Sequence, residues 1–167
     1  MFFAPYHAVV RANVKRTFAE ISRGRGANAA AKFAENATFQ FSGSHAMGGE
    51  LHGREAVAQW FARVSRLFPD LRVTPLQIVV NGPPWRTTVA TRFRVTASLP
   101  GGAAYRNEGM QYLRIAWGHI VEDRLYEDTD VLKDALRAID ASGTHEAAAS
   151  ALGEIPSPGI RTANVAR

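Results

Sequence analysis

The feature that most constrains this chain is the stretch 72–127, where strand-like segments follow one another with only short turns between them. Arg72 to Asn81, Trp85 to Leu99 and Ala103 to Trp117 are rich in β-branched and aromatic residues, and Gly-Pro-Pro, Pro-Gly-Gly and Gly118-His119 separate them. Sequential antiparallel hairpins are expected, ending in the charged segment "VEDRLYEDTD", Val121 to Asp130. A sheet of this size has an apolar face that must be covered, and the rest of the chain supplies helices to cover it.

Val10, Val14, Phe18 and Ile21 keep helical spacing before Gly24 and Gly26, which predicts a helix over His7 to Arg23. Asn28 is placed to cap a short helix through Phe33, and "TFQFS", Thr38 to Ser42, reads as the first strand, followed by the Gly-rich loop "GSHAMGGELHG". Val57, Trp60, Phe61, Val64 and Phe68 place an aromatic stripe on a helix from Arg54 to Phe68, closed by Pro69. Leu132, Ala135, Leu136 and Ile139 predict a last helix, with Thr129 or Asp130 near its start and Gly143 just beyond its end. The reading is one α+β domain over residues 1–141, with residues 142–167, rich in Ala, Gly, Pro and Ser, as a flexible tail.

Composition excludes several function classes. There is no cysteine, so disulfides and thiolate zinc sites are ruled out and a reducing, cytoplasmic setting is expected. No apolar run approaches the roughly 18 residues that span a bilayer, no signal peptide is read at the start, and no membrane partner is expected. The net charge of +5 invites a nucleic-acid reading, but the basic residues are scattered along the chain, which describes a solvated surface rather than a binding stripe. His45 and His52 flank the Gly-Gly loop without a zinc spacing, so no metal is expected, and no glycine loop follows the strand-to-helix phosphate pattern. The chain is expected to work without a cofactor.

The segments "HGREAVAQWFARVSRLFPDLR" and "GHIVEDRLYEDTDVL", in this order and spacing, resemble the nuclear transport factor 2-like superfamily, and within it the SnoaL-like polyketide cyclase and ketosteroid isomerase-like group, over roughly Val9 to Ile139. The resemblance implies a conical α+β barrel, a bent, mostly antiparallel sheet wrapped around N-terminal helices, a deep pocket between them, and homodimers packed through the outer sheet face. Isomerase-like members carry an aspartate near the end of the first strand; here Phe41 or its neighbour stands there. Cyclase-like members keep an acid about ten residues after the glycine of the last hairpin, which in this chain is Asp128. On that basis Arg124, Tyr126 and Asp128 are expected to face the pocket, and Asp123 and Glu127 the solvent or a partner subunit.

The candidate residues each carry two readings. Asp128 is either the cap of the following helix or, half-buried beside Tyr126, an acid/base group with a raised pKa. Arg124 on the same face either opposes that rise or pairs with Glu122. His45 is a general acid or a donor to a substrate carbonyl, or else a surface loop residue. Tyr105, Asn107, Gly109 and Gln111 share one strand face, a pocket wall or a dimer sheet. Phe18, Phe41 and Trp60 are core or ligand-stacking groups. Together they give a cyclase, isomerase or hydrolase-like protein, with Asp128, His45 and Tyr126 as its chemistry and Phe18, Phe41, Trp60, Tyr105, Asn107 and Arg124 as its substrate wall. Its expected ligand is a small apolar, carbonyl-bearing or epoxide molecule. The alternative is a non-catalytic binding or dimerising module of the same fold.

Overall fold

A computed structural model describes residues 3–154. Its elements run α1 (Ala4–Ser22), α2 (Gly26–Ala30), β1 (Phe33–Phe41), β2 (Gly49–His52), α3 (Arg54–Leu67), β3 (Arg72–Asn81), β4 (Thr87–Ser98), β5 (Ala104–Ala116), β6 (His119–Glu127) and α4 (Thr129–Ala141), with short 3-10 turns at Pro100–Gly102 and His145–Ala148. The six strands form one sheet in the order β2-β1-β6-β5-β4-β3. It is curled but not closed, so the expected barrel is an open one. Pro75, which has no N–H to give to a ladder, is tolerated because β3 is an edge strand and the register shifts just after it.

The hairpins β3–β4, β4–β5 and β5–β6 are antiparallel as expected, whereas β6 also pairs parallel with β1. That pairing brings the charged segment beside "TFQF" in the middle of the sheet. The first strand starts at Phe33, earlier than expected, and the short helix ends ahead of it at Ala30. The end of the Gly-rich loop forms β2, the second sheet edge.

Helical periodicity predicts the covering faces correctly. Val10, Val14 and Phe18 of α1 are buried, as are Val57, Trp60, Phe61, Val64 and Leu67 of α3 and Leu132, Ala135, Leu136 and Ile139 of α4. They join Phe33, Phe39, Phe41, Phe93 and Leu113 from the sheet in a single core.

The segment after Ser142 differs from the expected tail as far as residue 154. Ala147 is buried, Glu146 takes hydrogen bonds from Arg63 and Arg66, and Glu154 bridges to Glu50. The Arg63 guanidinium, only 10% exposed, also donates to the carbonyls of Ala46 and Ser150 at 2.7 and 2.9 Å, so it ties this strap to the loop before β2. Composition alone misses this because three polar anchors, not an apolar stripe, hold the segment down. The remainder of the expected tail, 155–167, lies outside the described residues.

Candidate active site

The parity of β6 decides what the site contains. Among Asp123 to Glu127, Asp123 is 3% exposed while Tyr126 is 43% exposed, so Asp123, Leu125 and Glu127 point inward and Arg124 and Tyr126 outward. This reverses the expected assignment. Arg124 donates to Glu122 and Gln40 on the outer face, and Tyr126 lies beside Met110 there. Asp128, exposed at the end of the strand, accepts from the backbone N–H groups of Asp130 and Val131 as the N-cap of α4, the first of its two expected roles. Within the segment the signal is weak, with Leu125 on the face of Asp123 and Tyr126 on the other.

Asp123 stands opposite Leu113 on β5 and beside Phe39 on β1. Its Oδ2 accepts a 2.9 Å hydrogen bond from Gln111 Nε2, and its Oδ1 has no partner among the described residues. Burial among apolar side chains disfavours the carboxylate and pushes Asp123 up to about 8, against a smaller opposing effect of the Gln111 hydrogen bond. At neutral pH the group is a carboxylic acid, with a proton to donate. Gln111 reaches it from the register position opposite Leu125, a diagonal neighbour within range of a long side chain.

Two cavities meet at this pair. One, of about 450 Å³, lies between α1 and the sheet and is walled by Val10, Val14, Leu113, Ile115 and Ile120. The other, of about 70 Å³, lies under α3 and is walled by Phe39, Trp60, Val64, Phe93 and Leu125. Both are lined by Phe18, Ile21, Phe61, Gln111 and Asp123. The arrangement is apolar walls around a few polar groups, the usual composition of a small-molecule site.

A second polar group closes the far end of the smaller cavity. Glu127 Oε2 accepts from Tyr105 Oη at 3.1 Å and from Asn107 Nδ2 at 3.2 Å, and Asn107 also donates to the Asp128 carbonyl. Burial raises Glu127 to about 7, opposed by the Tyr105 hydrogen bond, and burial with the adjoining Glu127 charge drives the Tyr105 phenol above its ordinary value. Three strand residues lie between Asp123 and Glu127, which puts their Cα atoms about 13 Å apart along the strand.

Of the expected wall residues, Phe18, Trp60 and Tyr105 line a cavity. Asn107 is buried and orients Glu127. Phe41 packs behind the wall against Trp60 and His45. The His45 ring is used within its own loop: Nδ1 accepts from the Met47 N–H, leaving the Nε2 proton for the Ser42 carbonyl, and burial lowers its pKa. It borders a separate open groove beside Lys133 and Arg137. Among the described residues no cluster of side chains suits a metal ion. Asp123 and Glu127, expected to face solvent or a partner subunit, are thus inward, and Gln111, expected on a pocket wall or a dimer sheet, lies on the pocket wall.

Residues 14–123, from the α1 face to the buried acid, match the SnoaL-like domain. The chain belongs to the SnoaL-like domain family. Its fold is shared with solved members of the nuclear transport factor 2-like and ketosteroid isomerase-like group. PrhC from Penicillium brasilianum NBRC 6234 superposes with a TM-score of 0.67 at 16% identity, over 80% of this chain and 89% of that one. Bal32a from a soil-derived mobile gene cassette gives 0.58 at 23% identity, over 68% and 85%. A protein of ketosteroid isomerase-like fold from Catenulispora acidiphila DSM 44928, solved in complex with trimethylamine, gives 0.59 at 20% identity, over 75% and 90%. At these identities the SnoaL-like fold is what is shared. No curated protein matches the chain.

Proposed function

We propose that this SnoaL-like domain binds a small, largely apolar molecule carrying a carbonyl or epoxide oxygen and performs acid–base chemistry on it, with Asp123 as the proton donor. The observation that carries the reading is the buried Asp123 carboxyl, whose Oδ1 is unpartnered and which sits where two apolar cavities meet. A carboxylic acid held neutral in an apolar site donates to a ligand oxygen where charge develops. For a ketone, Asp123 passes its proton to the carbonyl oxygen while a water molecule takes the proton from the adjacent carbon, giving the enol; the reverse steps restore the ketone and the acid. The same donation to an epoxide oxygen, with water adding to the ring carbon as the C–O bond breaks and giving its proton back to Asp123, would open the ring to a diol. Gln111 holds the carboxyl in place.

Proton–deuterium exchange at the α-carbon of 1-tetralone in D2O, followed by proton NMR, tests this. The wild-type chain is expected to accelerate exchange, the rate falling as pH rises through about 8 as Asp123 loses its proton. Asp123→Asn is expected to lower the acceleration by about 100-fold or more. If the wild type binds the ketone without accelerating exchange, the chain is a binding module. That second reading is favoured by one observation: the other inward acid, Glu127, already accepts hydrogen bonds from Tyr105 and Asn107 and so is not a free base.

A further inference from the structure

Three side-chain polar atoms are buried without a partner among the described residues: Thr91 Oγ1, Gln111 Oε1 and Asp123 Oδ1. They come from adjacent strands, Thr91 standing opposite Gln111 across β4 and β5, and Asp123 diagonal to Gln111 across β5 and β6. Each buried unpaired polar atom costs roughly 1 to 3 kcal/mol. A fold with no use for them would be more stable with apolar side chains at these positions.

Gln111 and Asp123 both line the two cavities, and their mutual bond fixes what each offers. Gln111 Nε2 donates to Asp123 Oδ2, which leaves the amide oxygen Oε1 as an acceptor. Protonated on Oδ1, Asp123 is a donor beside it. A ligand with a lone carbonyl satisfies Asp123 and leaves Gln111 Oε1 orphaned, while a carbonyl with a neighbouring hydroxyl satisfies both. A site built around a buried acceptor discriminates strongly against analogues that lack the donor, because the acceptor then stays unpaired.

We propose that Gln111 is a specificity-determining residue that selects ligands bearing a hydroxyl or enol O–H next to the carbonyl, that is, α- or β-hydroxy ketones within an apolar frame. This rests on the reading of Asp123 as the carbonyl's proton donor. The test titrates the full chain with the matched pair 1-tetralone and 2-hydroxy-1-tetralone by isothermal calorimetry, in the wild type and in the Gln111→Met and Asp123→Leu variants. The wild type is expected to bind the hydroxy ketone about 10-fold more tightly or better. Gln111→Met is expected to bring the two ligands within about twofold of each other; the ratio is what is read, because Gln111 also positions Asp123 and both affinities fall with it.

Equal affinities in the wild type, or a preference that survives in Gln111→Met, would overturn the role of Gln111. The wild-type comparison decides the matter by itself if Gln111→Met gives no cooperative melt. Asp123→Leu, which unlike asparagine keeps no donor, separates the two levels: if it binds 1-tetralone as tightly as the wild type does, the reading of Asp123 falls. If it binds 1-tetralone weakly while the wild type shows no hydroxyl preference, only the role of Gln111 falls. No binding of either ketone by the wild type at millimolar concentration would overturn both.

Discussion

Burial moves the Asp123 carboxyl from an ordinary value of 3.8 to about 8, so between these pH values the unfolded chain has released a proton that the folded chain retains. Stability therefore falls as pH rises from about 4 to about 8 on account of this one group, and is insensitive to it below 4, where both states are protonated. Asparagine removes the titration and keeps a partner for Gln111. Asp123→Asn is thus expected to melt several degrees higher than the wild type at pH 8 and within about a degree of it at pH 4, as read by differential scanning calorimetry. A gain at pH 8 combined with lost proton exchange would mark Asp123 as a residue kept for function at a cost in stability. Asp128 should behave in the opposite way: Asp128→Ala removes a helix cap, lowering stability by about 1 kcal/mol and leaving ketone binding unchanged in calorimetric titration.

Secondary-structure elements were legible where one physical signal governed them. The 3.6-residue spacing of Val10, Val14 and Phe18, and of Trp60, Phe61 and Val64, marks faces that are in fact buried, and the hairpin turns separate the strands as their glycines and prolines require. The site was less legible because a strand with charge on both faces gives no parity by hydrophobicity alone, and a one-residue change of parity moves every side chain to the other side. What settles β6 is its parallel partner: Asp123 pairs with Phe39 and Leu125 with Phe41, a long-range register that local spacing does not contain. The strap after α4 escaped for a related reason, since Arg63 and Glu146 are 83 residues apart. Burial leaves the Arg63 guanidinium dependent on that strap for two of its three partners, Glu146 and the Ser150 carbonyl. Removing residues 144–167 is expected to lower stability by about 3 kcal/mol, visible as a lower urea midpoint, because a buried cation loses its counter-charge. An unchanged midpoint would show that Arg63 finds water as readily as it finds the strap.

On the scale of the whole molecule, the sheet has one face committed to the helices and cavities and another that is uncovered in the single chain. Met110 and Tyr126 stand opposite each other on that outer face, as do Tyr112 and Arg124, and Met110, Tyr112 and Tyr126 are 46%, 37% and 43% exposed. Around them Arg114 and Arg124 pair with Glu122, and Arg94 with Glu108, so the apolar centre has a polar rim. Aromatic residues, methionine and arginine in that arrangement are enriched where proteins meet. The face is the same on every copy, and a two-fold axis through it would let each Tyr112 and Met110 cluster cover its equivalent. We therefore expect a homodimer, sheet against sheet, burying on the order of 1,200 to 2,000 Å². Tyr112→Glu would put two carboxylates into the centre of such an interface without touching the inward face of β5, so it should give monomers of about 18 kDa by sedimentation while ketone binding at Asp123 persists. A wild-type chain that sediments as a monomer at micromolar concentration would remove the dimer, and would leave the cavity, which one chain lines by itself, as it stands.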